Sequence, residues 1–123
     1  MTRAHVDAAL ARYLATRLVG SWITYQGQGL RSVAASLVSA YVLSALALAA
    51  HARGPAAAVS IGRMTSSIRA SDWLLLHLLD REDWAGWCSG YETDSDARPL
   101  LALVSGAARV LDSLHWEPAA AEN

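Results

Sequence analysis

Lysine is missing altogether, and all ten cationic side chains of this 123-residue chain are Arg. That absence reads as a compositional bias and carries no chemistry. Cysteine occurs once, at Cys88, which excludes an internal disulfide and fits a reducing, cytoplasmic setting. No group of Cys and His has metal-ligand spacing, so neither a structural zinc nor another metal is expected. Nucleophile elbows and Gly-rich phosphate loops are also missing, so no cofactor is expected and no motif marks an enzyme. Charge is sparse, 17% of residues against 54% hydrophobic, and that balance excludes disorder for most of the chain. The N-terminus shows no secretory pattern.

What charge there is divides unevenly. Residues 1–71 hold seven Arg against Asp7 alone, a balance of +6, while residues 72–123 hold three Arg against ten carboxylates, a balance of −7. A nucleic-acid surface built from the second half therefore starts at an electrostatic disadvantage. Residues 32–50, "SVAASLVSAYVLSALALAA", are uncharged and long enough to weigh as a membrane span. Four Ser and many Ala make the run weakly hydrophobic, and the expectation is a buried helix with no membrane contact.

Helical spacing of Leu10, Tyr13, Leu14, Arg17, Leu18, Trp22 and Tyr25 predicts a first helix over 6–25. "QGQG" breaks it, and a second helix over 31–51 closes at "RGP". A short helix is predicted over 61–68. Ser71 then reads as an N-cap, with Asp72 favouring the dipole, for a helix over 71–84. That helix, "SDWLLLHLLDRED", is apolar on nearly every face. Gly86 and Gly90 signal a turn, and "YETDSDARP" reads as a loop. Trp87 and Cys88 before the loop and "LLALV" after it predict a short antiparallel pair. "SGAARVLDSLHW" is predicted as a final amphipathic helix.

Helix, helix, short helix, helix, β-hairpin, helix is the order of a winged helix-turn-helix. From residue 41 to 114 the chain resembles MarR-type regulators. "VSIGRM" is similar to that family's L-S-x-x-E-L opening. "LLDREDWAGW" resembles its L-x-D-x-L-E-x-x-G-[LW] passage, and "DSDARP" its D-x-x-D-x-R wing tip. The resemblance implies a mainly α winged helix-turn-helix with flanking N- and C-terminal dimerisation helices and a small β-hairpin wing. The implied single domain covers 1–117: dimerisation helices over 1–52, helix-turn-helix and wing over 53–104, and a last helix over 105–117. Residues 118–123 form a frayed tail. The resemblance also implies a homodimer with a crevice for aromatic ligands, and a wing Arg, here Arg98 oriented by Asp96, that reaches the minor groove.

Two functions follow. One is a dimeric transcriptional regulator released from double-stranded DNA by a small aromatic or hydrophobic molecule. The other keeps the fold, abandons base reading, and binds or transforms a hydrophobic small molecule. Major-groove reading needs polar groups on the recognition helix, and this one offers Asp72, Trp73, Leu74, Leu76 and His77. Between Asp72 and Trp84 four carboxylates face one Arg. Arg63, Arg69 and Arg98 are the candidate DNA contacts. Trp22, Tyr25 and Tyr41, on the helices beside the implied crevice, join Trp73 and His77 as candidate ligand contacts; core packing is the plainer reading of the first three. His77 and His51 are weak candidates for a general base, against the plainer reading of surface histidines. Trp84, Trp87 and Trp116 read as packing residues, and Cys88 as a buried inert thiol. Trp73, Leu74 and Leu76 would leave an apolar patch that calls for a covering partner.

Overall fold

A computed structural model describes residues 1–24, 29–53, 58–78, 81–93 and 96–116, with the side chains of 21–24, 78, 81 and 91–93 outside that description. Five α-helices follow in chain order: α1 (Arg3–Thr24), α2 (Leu30–His51), α3 (Ile61–Trp73), α4 (Arg81–Thr93) and α5 (Arg98–Asp112). A single π-helical segment, Leu74–Leu78, continues directly from α3.

α2 is the axis of the bundle, and α1, α3, α4 and α5 all pack against it. Its composition explains why. Ser32, Ala35, Ser36, Ala40, Ser44 and Ala45 are buried along it, small residues that let neighbouring backbones come close. Gly29 sets its start with φ of 88°, a left-handed conformation that costs a residue with a Cβ. By length and composition α2 is also the one described helix that passes as a candidate membrane span, with mean hydropathy 2.0.

Chain direction gives the bundle two distinct ends. Arg3 at the start of α1 pairs with Asp112 at the end of α5. The Val59 amide, just before α3, donates to the His115 carbonyl. Between these ties lies the core: Val6 and Leu10 from α1, Ala45 and Leu48 from α2, Val59 and Met64 around α3, Ala107 and Leu111 from α5. Tyr41, Ile68 and Trp116 pack around it, with the Trp116 indole donating to the Leu111 carbonyl at 3.1 Å. We call this the closed end. Burying each of Leu48 and Leu111 completely is worth about 1.5–3 kcal/mol. The far end gathers the finish of α1, the start of α2, the finish of α3 with its π segment, and the start of α5. α4 lies in the chain between the last two.

The expected wing is not formed: the described residues contain no strand. Trp87 and Cys88 lie within α4, and Leu100–Val104 lie within α5. In α5, Leu100, Val104, Ala107 and Leu111 recur at helical spacing and turn inward, with Pro99 in the first turn, where it is tolerated. Gly86 and Gly90 are helical, with no left-handed φ and open space where a Cβ would stand, so their turn signal is overridden. The winged helix-turn-helix is thus replaced by an all-helical bundle among the described residues.

A second correction falls on Ser71. It is no N-cap, because α3 runs through it. It is fully buried, and its hydroxyl donates to the Ala40 carbonyl of α2 at 3.3 Å. The cap of α3 is Ser60, which accepts the Arg63 amide at 3.3 Å. The short helix and the supposed recognition helix are therefore joined as far as Leu78.

Candidate binding surface

Where α1 passes the end of α3, a polar clamp joins them. Tyr13 donates to Asp72 Oδ1 at 2.6 Å, and Arg17 Nη1 donates to the same oxygen at 2.7 Å. The Tyr13 and Ser71 hydroxyls lie 3.4 Å apart, and the Arg17 guanidinium sits 5.9 Å from the Tyr13 ring centroid. Arg17 is well shielded, 17% exposed, and Asp72 is 40% exposed. Burial first, then the bond to Asp72, raises the Tyr13 hydroxyl above its ordinary value, so it is a neutral donor near pH 7. Arg17 Nε is buried with no acceptor. Asp72, expected to favour a helix dipole at the recognition helix, is instead committed to holding α1.

The clamp stands beside exposed apolar residues. Trp73 is 55% and Leu76 53% exposed, and Leu74 is partly buried. Leu75 turns into the protein, at 6% exposure. The His77 ring tilts against Trp73 with centroids 6.2 Å apart, and the histidine is exposed. Leu18 and Val19 follow Arg17 on α1 and are exposed as well. Leu30 opens α2 in solvent, and Leu101 and Leu103 do the same near the start of α5. On α4, Trp87 stacks on Trp84 at 5.5 Å and 16° and remains 39% exposed. Leu46, next to the core residue Ala45, and Ile61, at the start of α3, are exposed in the closed half. Among the described residues, chain direction therefore puts Leu18, Val19, Leu30, Trp73, Leu76 and Leu101 towards the far end, which we call the open end.

The other candidate residues scatter. Tyr41 lies half-buried towards the closed end, where burial raises its hydroxyl pKa and Arg3 opposes the shift. It is not brought to Trp73 and His77. Trp22 lies on α1 with its side chain outside the described set, and Tyr25 lies outside the described residues. Arg63 donates to the Ala58 carbonyl of its own chain. Arg69 is exposed on α3. Arg98 forms a forked pair with Asp96, Nε to Oδ1 and Nη2 to Oδ2, both at 2.8 Å. That pair stands at the first turn of α5, with no wing to carry it. The Arg98 side chain, then its amide, holds the Asp96 carboxyl below its usual range. His51 Nδ1 donates to the Ala47 carbonyl at 2.7 Å, so this nitrogen is engaged by its own helix.

Chemically, the open end offers hydrophobic contact and a shielded ion pair. Cys88 is buried on α4, and burial pushes its thiol up to about 11, which makes it a poor nucleophile near neutrality. Among the described residues no group of His, Cys, Asp and Glu could hold a metal ion. Sequence reasoning does not find the clamp, although Arg17 on an apolar helical stripe signals a need for a partner. No family model, curated protein or solved structure matches this chain.

Proposed function

We propose that this chain is a binding module that takes a hydrophobic partner at its open end. The observation that carries the reading is the exposure of Trp73 and Leu76 where α3 ends, with Leu18 and Val19 exposed just after the Arg17 of the clamp. Monomers seldom leave apolar patches beyond a few hundred Å² without a use for them. The open end exposes Trp, a residue type favoured at binding hot spots, and leaves the Leu run without polar groups for base edges. The regulator reading draws less support. It needs a wing, and it needs cations that Arg63 and Arg98 have already engaged within their own chain.

Two titrations test this. Anilinonaphthalene sulfonate added to dilute protein brightens with the wild type and loses most of that gain with Trp73→Ser/Leu76→Ser, at unchanged far-UV circular dichroism. Labelled random duplex at low salt shows no anisotropy rise. Duplex binding that weakens steeply with salt, without dye binding, would restore the DNA reading and overturn this one.

A further inference from the structure

We infer that the partner taken beside the clamp is a single-chain amphiphile with a terminal carboxylate, its head on Arg17 and its tail on Trp73 and Leu76; the inference rests on the binding-module reading above. The guanidinium carries the argument. Arg offers its N–H donors in a rigid fork, and a carboxylate fits the edge formed by Nε and Nη2. Arg98 shows that fit within this chain, giving Nε and Nη2 to the two oxygens of Asp96, both at 2.8 Å. Arg17 is used differently. Asp72 is bound through Nη1 at 2.7 Å, and Nε has no acceptor although it is buried. Buried donors in folded chains nearly always find an acceptor, so a missing one calls for an explanation. The edge that Arg98 fills with Asp96 is left on Arg17 with an unmet donor.

Shielding and charge narrow the occupant. The Arg17 side chain is 17% exposed, so a group that reaches its fork must be slender, as the end of an unbranched chain is and a folded protein surface is not. The sign of the head follows from the two helices that build the clamp. Together α1 and α3 hold Arg3, Arg12, Arg17, Arg63 and Arg69 against Asp7 and Asp72, five cations to two carboxylates, a balance of +3. Arg12 and Arg69 are exposed on them. That field favours an anionic head over a cationic one. Asp72 itself stands at Nη1, off the fork edge.

The tail follows from what adjoins the ion pair. Trp73 comes directly after Asp72 and is exposed, with the His77 ring against it and Leu76 exposed in the π segment. Leu18, directly after Arg17 on α1, is exposed as well. Small-molecule sites have this make-up, mostly apolar walls with a few placed polar groups that fix orientation. Trp73 and Leu76 accept any apolar tail, and Arg17 selects the head.

Titration calorimetry with decanoate, decanol and decyltrimethylammonium tests the inference, near neutral pH where the carboxylate is ionised. The wild type is expected to bind decanoate about tenfold or more tightly than either of the others. Arg17→Gln is expected to remove that preference while decanol still binds, which shows that the variant keeps its fold. Arg17→Lys keeps a charge for Asp72 but lacks the fork, and it too is expected to lose most of the preference. Arg98→Gln leaves the preference in place, because that fork is already filled. Trp73→Ser/Leu76→Ser weakens decanoate and decanol alike. Decanol bound as tightly as decanoate, with the dye still brightening, overturns the carboxylate head and leaves the binding-module reading standing. A preference that survives both Arg17 substitutions overturns Arg17 as the seat of the head. Protein that sediments with phosphatidylglycerol vesicles yet takes up no free decanoate overturns the single-chain ligand and assigns the surface to a membrane. A chain that binds neither decanoate nor dye sinks both readings.

Discussion

At one end of the bundle Val6, Leu48, Val59, Met64 and Leu111 close on one another, and ties between α1 and α5 hold that packing shut. At the other end Leu30, Trp73, Leu76 and Leu101 stand in solvent, and a clamp of Tyr13, Arg17 and Asp72 joins α1 to the end of α3. The same residue types serve in both places. Their different fates show that composition sets how much apolar surface a chain has, and topology decides where it is spent. The closed end holds the fold together. The open end is joined by polar bonds and leaves its apolar side chains in solvent.

The largest expected contrast comes from truncating each end. Leu48→Ala should lower unfolding free energy by about 2–5 kcal/mol in urea titrations. Leu76→Ser should change it by no more than about 0.5 kcal/mol in dilute protein. Equal losses would abolish the distinction between the ends. Next in size is the clamp. Asp72→Ala strands the Arg17 guanidinium and the Tyr13 hydroxyl and should cost about 1–3 kcal/mol. An unchanged midpoint would show that the polar bonds do not hold the open end.

The clamp also predicts a pH dependence. The pKa of Tyr13 is raised on folding above its ordinary 10.0, so its contribution is complete below about pH 10 and is lost as pH climbs through the folded value. Stability measured from neutral to strongly alkaline pH should fall in that window, and Tyr13→Phe should flatten the fall. The smallest effect is expected on α4. Gly86 is helical with open space where a methyl group would stand, so Gly86→Ala should raise stability by about 0.5–1 kcal/mol in thermal denaturation.

Much of the architecture is legible from local pattern. Apolar spacing places α1 and α2 to within a few residues, because both helices are long and well bounded by glycine-containing breaks. The wing fails because its cues are weak and local. "LLALV" is apolar in either a strand or a helix, and only its partners decide; here Leu100, Val104 and Leu111 meet the bundle as one helical face. Gly86 and Gly90 carry a turn signal that the surrounding helix absorbs. Ser71 and Asp72 look like a helix start because the same hydroxyl and carboxylate that cap a helix also bond across helices. Their partners, Ala40, Tyr13 and Arg17, lie too far away in sequence for any local rule to find. Of the candidate site, the exposed Trp73 and Leu76 follow from the crowded Leu run, and the clamp beside them does not.

Carbene footprinting of dilute protein, read residue by residue with and without anilinonaphthalene sulfonate, tests the central claim most directly. In dilute protein Trp73, Leu76 and Leu101 should label heavily while Leu48, Val59 and Leu111 stay dark. With anilinonaphthalene sulfonate bound, the label at Trp73 and Leu76 should fall, and Ile61, exposed at the closed end, should keep its own. Trp73 and Leu76 dark in dilute protein, or Ile61 losing label in step with them, would contradict the account.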